Sequence, residues 1–328
     1  MKELKKLLSI LKLGATSENY PPFGSYLISD GETLKTFNAD IYVSLDYKAP
    51  FIGAVNIYVF DSILANLTDD AEFKQKDDKL YIRDNNFKAD LDIIEEPDIP
   101  IKEKPKVPTI EITEELLNSL KLANKFISAS EPQYMYIYMG KNFISATNRS
   151  KVFLKDISET DTSISLDSKI LSSLIIGTKL GATNKNVFID YGFGFLLSQA
   201  HIVEEFPIEK ISSYVYQSKE ETTKLCNIAV LQDAIKKLSP IFYAEKGLNI
   251  LIETKDKSLV VSAESTLNGI LKVNYDIQME EEYSMEFDPN YVKGIPMDYD
   301  IFINPKITSM KRLYLSNDES EIVLLGKE

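Results

Sequence analysis

A charged, proline-rich stretch divides the chain: Glu95-Glu96-Pro97-Asp98-Ile99-Pro100-Ile101-Lys102-Glu103-Lys104-Pro105-Lys106-Val107-Pro108. Its four prolines lack an amide donor and disfavour both helix and interior strand. The stretch is therefore predicted to be an extended connector between two folded parts.

Outward from this connector, the sequence contains a second break, where Glu204-Glu205-Phe206-Pro207 leads toward Ser218-Lys219-Glu220. The two breaks define three segments of similar length. Each segment is close to the usual size of one domain. The predicted domains are 1–107, 108–218 and 219–328.

The three segments share an order of elements. Each is predicted to open with an amphipathic helix, then to form strands, a second short helix and further strands. The predicted opening helices are 2–13, 113–127 and 220–238, and the predicted second helices are 58–67, 166–176 and 288–295. This order predicts an α+β fold made of three repeats, each with two helices on antiparallel sheets.

The composition fits a folded, acidic protein. It is 44% hydrophobic, with a formal net charge of −13, so any nucleic-acid contact requires a local basic surface. Only three of the 37 basic residues are arginines. Lysine contacts phosphate as a point charge and seldom reads bases. A coding bias toward lysine explains the same composition, and the sequence leaves both explanations open.

The sequence contains little material for catalysis. Cys226 is the only cysteine and His201 the only histidine, which argues against Ser-His-Asp, Cys-His and multi-histidine metal sites. Cys226 lies in an apolar stretch and is predicted to be a buried structural thiol. Gly192-Phe193-Gly194 is predicted to be a hairpin turn rather than a nucleotide-binding loop. No catalytic residue, metal or cofactor is expected.

No stretch approaches the roughly 18 apolar residues of a membrane-spanning helix. A cytoplasmic location and no membrane association are therefore expected.

Four stretches are similar in order and spacing to the bacterial-type DNA sliding clamps, the β subunits of replicative polymerases. They are Val55 to Asp92, Phe143 to Val152, Phe195-Leu196-Leu197-Ser198 with Glu205-Phe206-Pro207, and Met285 to Val292. The resemblance covers nearly the whole chain. One departure is Arg149, which occupies a turn position where that family usually has glycine.

The resemblance implies a closed ring around duplex DNA, bound without sequence preference. Two copies joined head to tail would supply six domains. The partners would be the DNA polymerase, the clamp loader and other proteins with short peptide motifs. The alternative is a structural β-rich repeat protein of a viral or other multi-subunit assembly, which has no need for lysine-faced helices.

In the sliding-clamp interpretation the helices line the hole, and their lysines meet phosphates. The alternative is that these lysines merely solvate exposed helix faces. The predicted DNA-facing residues are Lys2, Lys5, Lys6, Lys12, Lys121, Lys125, Lys169, Lys179, Lys224, Lys236, Lys237 and Lys293.

The resemblance also implies a shallow apolar cleft between the middle and third domains for partner peptides. Alternate residues of a strand face opposite sides, so at most two of Val323, Leu324 and Leu325 can face this cleft. Those three residues alternatively only complete a sheet. The predicted cleft residues are Tyr136, Thr147, Arg149, Lys151, Val152, Val215, Val323, Leu324 and Leu325.

Overall fold

The computed structural model describes residues 2–17, 21–95, 97–100, 102–160, 163–199 and 207–326. His201 and Phe206 lie outside these ranges. Contacts divide the chain into two compact units, each built from two stretches of sequence. The first unit comprises Met1–Leu117 with Asp161–Ile202, and the second comprises Asn118–Thr160 with Val203–Glu328.

Six α-helices lie in the described residues: α1 (Lys2–Leu11), α2 (Ile57–Ala65), α3 (Glu114–Ala123), α4 (Ser168–Ser173), α5 (Ile208–Lys219) and α6 (Ile228–Ala244). Single turns of 3-10 helix occur at Lys12–Gly14, Asn124–Phe126, Pro132–Tyr134 and Pro289–Val292.

The strands up to residue 199 are β1 (Tyr26–Ser29), β2 (Thr33–Phe37), β3 (Ile41–Asp46), β4 (Gly53–Asn56), β5 (Glu72–Lys76), β6 (Lys79–Asp84), β7 (Phe87–Asp92), β8 (Thr109–Glu111), β9 (Ile137–Met139), β10 (Phe143–Thr147), β11 (Lys151–Asp156), β12 (Ile164–Leu166), β13 (Lys179–Ala182), β14 (Asn186–Asp190) and β15 (Gly194–Gln199). Those that follow are β16 (Thr223–Asn227), β17 (Ile250–Lys255), β18 (Ser258–Ser265), β19 (Gly269–Asp276), β20 (Tyr283–Phe287), β21 (Asp300–Ile303), β22 (Arg312–Ser316) and β23 (Ser320–Leu325).

In the first unit, one long antiparallel sheet joins strands from two segments of the sequence. Its order is β4-β1-β2-β3-β15-β14-β13-β8, and a smaller sheet has the order β5-β6-β7. The junction is the pairing of β3 with β15, where Tyr42 lies opposite Leu197. These strands are far apart in sequence, so the pairing fastens the middle segment to the first.

The second unit contains an equivalent junction. Its strands follow one another in the order β9-β10-β11-β23-β22-β21-β16, and a separate sheet has the order β19-β18-β17-β20. Here β11 pairs with β23, and Val152 lies opposite Val323. Both junctions therefore join the third strand of one meander to the last strand of a later hairpin.

The opening helix confirms the amphipathic prediction. Leu4, Leu8 and Leu11 are buried, whereas Lys5 and Lys6 on the other face are exposed. Burying several leucine side chains, each stabilising by roughly 1.5–3 kcal/mol, fixes α1 on its sheet and leaves the lysines in solvent.

The prediction of a helix over 220–238 is wrong in its first half. Helix α5 ends before this range, β16 follows, and α6 begins only after Asn227, whose side chain accepts a hydrogen bond from the Ala229 amide. Cap formation by Asn227 sets the helix start, and Thr223, Lys224 and Cys226 before it pair with β21. The described part of the second break, residues 207–220, is largely helical, because α5 occupies Ile208–Lys219.

Two further elements differ from the predicted repeat. Strands β8 and β16 precede the opening helices α3 and α6. The predicted second helix of the third segment is a single 3-10 turn, Pro289–Val292. The Asp288 side chain caps the start of this turn by accepting a hydrogen bond from the Asn290 amide.

The Gly192–Gly194 stretch is a hairpin turn between β14 and β15, as predicted. Gly194 has a φ of +141°, and a Cβ there would overlap the Ser44 carbonyl oxygen of β3. Gly192 has a φ of +82° but no atom near its missing Cβ. Gly194 therefore permits the close approach of the two junction strands, whereas Gly192 only completes the turn.

Gly194→Ala is expected to lower the free energy of unfolding by about 3 kcal/mol, because it adds a steric overlap to a backbone conformation that only glycine adopts readily. The matched variant Gly192→Ala is expected to cost about 1 kcal/mol, from its left-handed backbone alone. Urea unfolding followed by circular dichroism measures both. Equal losses would show that the β3–β15 approach does not depend on Gly194.

Candidate functional site

The lysines of α1 form one exposed face in the first unit. Lys2, Lys5 and Lys6 are exposed, and the Lys5 ammonium donates a hydrogen bond to the Leu67 carbonyl oxygen at 3.3 Å. Lys12 differs, because its ammonium lies 2.7 Å from the Asp61 carboxylate of α2. Its charge is therefore largely offset, and the available positive charge lies in the first two turns.

The other two predicted lysines of this unit lie on different kinds of element. Lys169 is exposed on α4. Lys179 is also exposed, but it begins β13, where it lies opposite Asp190 on one side and Glu111 on the other. Lys179 therefore belongs to a strand with acidic neighbours, and it does not extend a lysine-faced helix.

In the second unit, α3 and the turn after it carry two exposed lysines. Lys121 is exposed on α3, and Lys125 lies in the 3-10 turn that follows. The Lys125 ammonium donates a hydrogen bond to the Gly294 carbonyl oxygen, next to the exposed Lys293. Lys125 thus links the two turns, and its charge remains at the surface.

The long helix α6 carries one unpaired and one paired lysine. Lys236 is exposed, and it makes no ion pair within the described residues. Lys237 lies 2.6 Å from the Asp233 carboxylate and over the ring of Tyr275, at 5.1 Å from its centre. The positive charge of α6 is therefore smaller than its sequence suggests.

Lys224 lies in β16 instead of the helix predicted for it. Its ammonium lies 2.6 Å from the Asp300 carboxylate on the neighbouring strand β21. Lys224 was predicted on a helix because the predicted start of that helix is too early. In the structure Lys224 lies on no helix face.

Three of the predicted cleft residues come together as an apolar cluster in the second unit. Val152, Val215 and Val323 pack with Ile211 and Tyr314, and all five are buried. We call these five residues the second-junction cluster. Helix α5 covers it, with Ile208 and Tyr214 packed at the edge.

Lys151 and Leu324 lie on the opposite face of the same sheet. They are opposite each other in the β11–β23 register, one residue away from Val152 and Val323, and successive side chains of a strand point to opposite faces. Leu324 is fully buried. The structure therefore separates these two residues from the other predicted cleft residues.

Lys151 instead lies among aromatic rings. Its ammonium is 5.4 Å from the centre of the Phe126 ring and 5.6 Å from that of Tyr291, and it donates a hydrogen bond to the Lys125 carbonyl oxygen. Burial lowers the pKa of Lys151, and the nearby Asp288 carboxylate opposes that shift. The cation thus holds the Asn124–Phe126 turn, which follows α3, against the Pro289–Val292 turn.

The β10–β11 turn is rigidly organised beside the second-junction cluster. The buried Thr147 hydroxyl donates to the Lys151 carbonyl oxygen at 3.0 Å and accepts from the Arg149 amide at 3.2 Å. Arg149 has a φ of +72°, a conformation that is uncommon for a residue with a side chain. The backbone at this turn position is therefore left-handed, as a glycine would favour, although the residue there is Arg149.

The Arg149 guanidinium is held by two neighbours. Its Nε lies 2.9 Å from a Glu131 carboxylate oxygen, and its carbon is 5.4 Å from the centre of the Tyr134 ring. Tyr136, two residues after Tyr134 in the sequence, is half-buried. Arg149 remains exposed, so its remaining donors face solvent at the edge of the second-junction cluster.

Leu325 is half-buried at the end of β23, and its amide donates to the Ser150 carbonyl oxygen at 2.9 Å. It shares a face with Val323 by strand alternation. This places it between the cluster and the Arg149 turn.

Sequence reasoning missed the helix that covers the cluster. Ile208, Ile211 and Val215 follow one another at three and four positions, the spacing of one helix face. That pattern was available in the sequence, but the Phe-Pro dipeptide before it suggested an irregular break.

Other chemistry is sparse in the part of the chain that the structure describes. No group of three or more His, Cys, Asp or Glu side chains in those residues is placed to hold a metal ion. Cys226 is buried, as predicted, and burial raises the pKa of its thiol to about 12. Among the described helices, none combines the length and hydropathy needed to cross a membrane.

No known protein-family profile matches the sequence. No curated protein matches it significantly.

Solved structures match the fold over essentially the whole chain. The β chain of DNA polymerase III from Streptococcus pneumoniae has a TM-score of 0.81 at 14% identity, covering 100% of this chain and 98% of that one. The β subunit from Thermotoga maritima has a TM-score of 0.79 at 16% identity, covering 100% and 97%. The Helicobacter pylori β clamp bound to a DNA ligase peptide has a TM-score of 0.78 at 15% identity, covering 100% and 98%. The chain therefore has the fold of the bacterial β sliding clamps.

Proposed function

We propose that this protein is a DNA sliding clamp, a non-catalytic processivity factor that encircles duplex DNA and tethers the replicative polymerase. The observation that carries the proposal is the fold likeness, which extends over the full length of both chains. The structural β-rich repeat protein remains the alternative in principle, and no specific observation favours it. We propose a cytoplasmic location and no cofactor.

The domains proposed from the sequence are 1–107, 108–218 and 219–328. Their support is the repeated junction, β3 with β15 in the first unit and β11 with β23 in the second. In the first unit, the third strand of the first segment's meander pairs with the last strand of the hairpin that closes the middle segment. In the second unit, the third strand of the middle segment's meander pairs with the last strand of the hairpin that closes the third segment. The third segment offers an equivalent third strand, β19, and the first offers an equivalent last strand, β7.

Strands β19 and β7 each lie at the edge of their own sheet. Within β19, Ile270 and Leu271 are 52% and 39% exposed. An exposed apolar edge is a site for pairing with another chain. We therefore propose a head-to-tail ring of two copies, closed by pairing β19 of one copy with β7 of the other.

The proposed DNA-facing surface consists of lysines on the helices. The strongest candidates are exposed and make no ion pair within the described residues: Lys2, Lys5, Lys6, Lys121, Lys125, Lys169, Lys236 and Lys293. Lys12, Lys224 and Lys237 contribute less, because each is paired with an aspartate. Contacts of this kind bind phosphate without reading the base sequence, and sequence-independent electrostatic binding lets a protein slide along DNA.

The proposed partner site is the edge of the second-junction cluster, between Arg149, Leu325 and the exposed side of α5. The H. pylori β clamp was solved with a DNA ligase peptide, which supports peptide docking in this fold. The polymerase and the clamp loader are the proposed partners. Glu131 offsets part of the Arg149 charge, and the guanidinium donors that Glu131 leaves free favour a peptide with a carboxylate acceptor beside its apolar anchor.

Replacing both Ile270 and Leu271 with Asp is expected to convert the dimer to a monomer, because four buried carboxylates would oppose ring closure. Light scattering at micromolar concentration measures the mass, and electron microscopy shows whether rings remain. The matched control is Ile175→Asp with Ile176→Asp, which changes two residues that are 47% and 57% exposed elsewhere. Intact rings in the β19 variant would exclude this edge as the interface.

Replacing Lys5 and Lys6 with Glu is expected to weaken DNA retention regardless of DNA sequence, because phosphate contacts carry no sequence information. The slope of log affinity against log salt should fall by about 0.9 for each lost contact. Binding to a fluorescent duplex across a salt series measures this slope. The control, Lys48→Glu with Lys141→Glu, has the same net charge and should retain the parent slope. An unchanged slope in the α1 variant would contradict the proposed surface.

Arg149→Glu is expected to weaken binding of the peptide fluorescein-Asp-Asp-Leu-Phe-amide, labelled at its amino terminus, about tenfold, because it replaces attraction by repulsion at the cluster edge. Fluorescence anisotropy measures the affinity, and Lys141→Glu is the single-charge control. Unchanged affinity in the Arg149 variant would place the peptide elsewhere. Ring mass should stay the same in both variants.

A further inference from the structure

The first unit contains a structural equivalent of the proposed partner site. Its junction pairs Tyr42 with Leu197, as the second junction pairs Val152 with Val323. The hairpin turn beside it also has a left-handed residue, Ala39 with a φ of +75°, where the other turn has Arg149 at +72°. The backbone of the two sites therefore follows the same plan.

The connecting segment after the first repeat packs on this junction as α5 packs on the other. Ile99 is buried against Tyr42 and Leu197, and Val107 packs at the edge of the same group. Lys104 pins the segment through an ion pair of 2.6 Å with Asp190. The described residues of the segment form no helix, whereas the second junction is covered by the helix α5.

An open groove remains where the cover is thinner. It has a volume of about 350 Å³ and is lined by Phe37, Tyr42 and Leu197 on its apolar side. This volume is within the range of sites that bind small ligands or one or two side chains of a peptide, roughly 300–1,000 Å³. The groove can therefore accept an apolar anchor of a bound peptide.

Aromatic rings continue beyond the groove on both sides. The ring centres of Phe23 and Phe37 are 6.2 Å apart, those of Phe37 and Tyr42 are 6.4 Å apart, and those of Tyr42 and Phe195 are 5.9 Å apart. Phe23, Phe37 and Phe195 are only partly buried. Partly exposed aromatic side chains anchor interfaces effectively, because they offer large contact area at low entropic cost.

The rim of the groove is positively charged on balance. Lys102 and Lys185 are exposed on one part of it, and Asp40 is exposed on another. In a chain with a net charge of −13, two rim lysines select for a partner with a carboxylate next to its apolar residue. The same combination of chemistry is proposed at the second junction, with Arg149 as its cation.

We propose that the groove at the first junction is a second docking site for an extended peptide of a partner protein, with an aromatic or aliphatic anchor beside an acidic residue. Phe37 holds the anchor above the buried Tyr42 and Leu197, which form the floor of the groove. Lys102 and Lys185 hold the carboxylate. This inference rests on the proposed function, in which partner peptides dock at the second junction. It gives each copy two peptide sites of similar plan.

Photo-cross-linking distinguishes the two sites. The probe is acetyl-Asp-Asp-Leu-Phe-amide with photoleucine in place of leucine, and cross-linked residues of the full chain are identified by mass spectrometry. We expect cross-links in residues 37–42 and 184–199 in addition to those near Arg149. Cross-links near Arg149 alone would overturn the second site and leave the first proposed site intact. Cross-links at neither junction would also overturn this proposal, whereas DNA retention would still test the clamp function separately.

Charge variants give an independent readout. Lys102→Glu with Lys185→Glu is expected to reduce the cross-links at the first junction about tenfold and to leave those near Arg149 unchanged. The control, Lys48→Glu with Lys106→Glu, has the same net charge and should retain both sets. Equal loss at both junctions in the rim variant, or equal loss in the control, would contradict specific recognition by the rim lysines. Circular dichroism spectra identical to the parent establish that the variants are folded.

Discussion

Antiparallel pairing between strands that are distant in sequence is the interaction on which the structure depends. The pairing of β3 with β15 and that of β11 with β23 convert separate meanders into two long sheets. The amides and carbonyls of these strands would otherwise be unpaired at a sheet edge. The helices then pack on surfaces whose position the sheets determine. The positions of the helix lysines and of the apolar clusters therefore both depend on these two pairings.

The charge distribution resolves an apparent conflict between an acidic chain and the DNA-binding function proposed for it. Several lysines are locally offset by aspartates, as Lys12 is by Asp61. Those on α1 project away from its buried leucines, without carboxylate partners in the described residues. The proposed clamp function would gain from this arrangement, since a strongly basic body would also adhere to nucleic acid outside its intended site.

The sequence predicted the elements that are set by local periodicity. Helix α1 is one example, because Leu4, Leu8 and Leu11 define one face within a few residues. It could not predict which strands pair across the segments, since that depends on contacts between distant residues. The start of α6 was missed because the Asn227 cap outweighed the helical propensity of the residues before it. Within the candidate site, strand alternation explains why Lys151 lies apart from Val152, and the Lys12–Asp61 pair required the packing of α1 on α2.

The strand order also determines how the chain can fold during synthesis. Strand β11 must wait for β23, since Val152 pairs with Val323, a residue made about 170 positions later at roughly 5–20 residues per second. During the roughly 10 to 35 seconds that this synthesis takes, the edge of β11 has no native partner. Contacts so distant in sequence slow folding. Unpaired strand edges are prone to aggregation, so the edge of β11 is a site of aggregation risk in the nascent chain until β23 has been made.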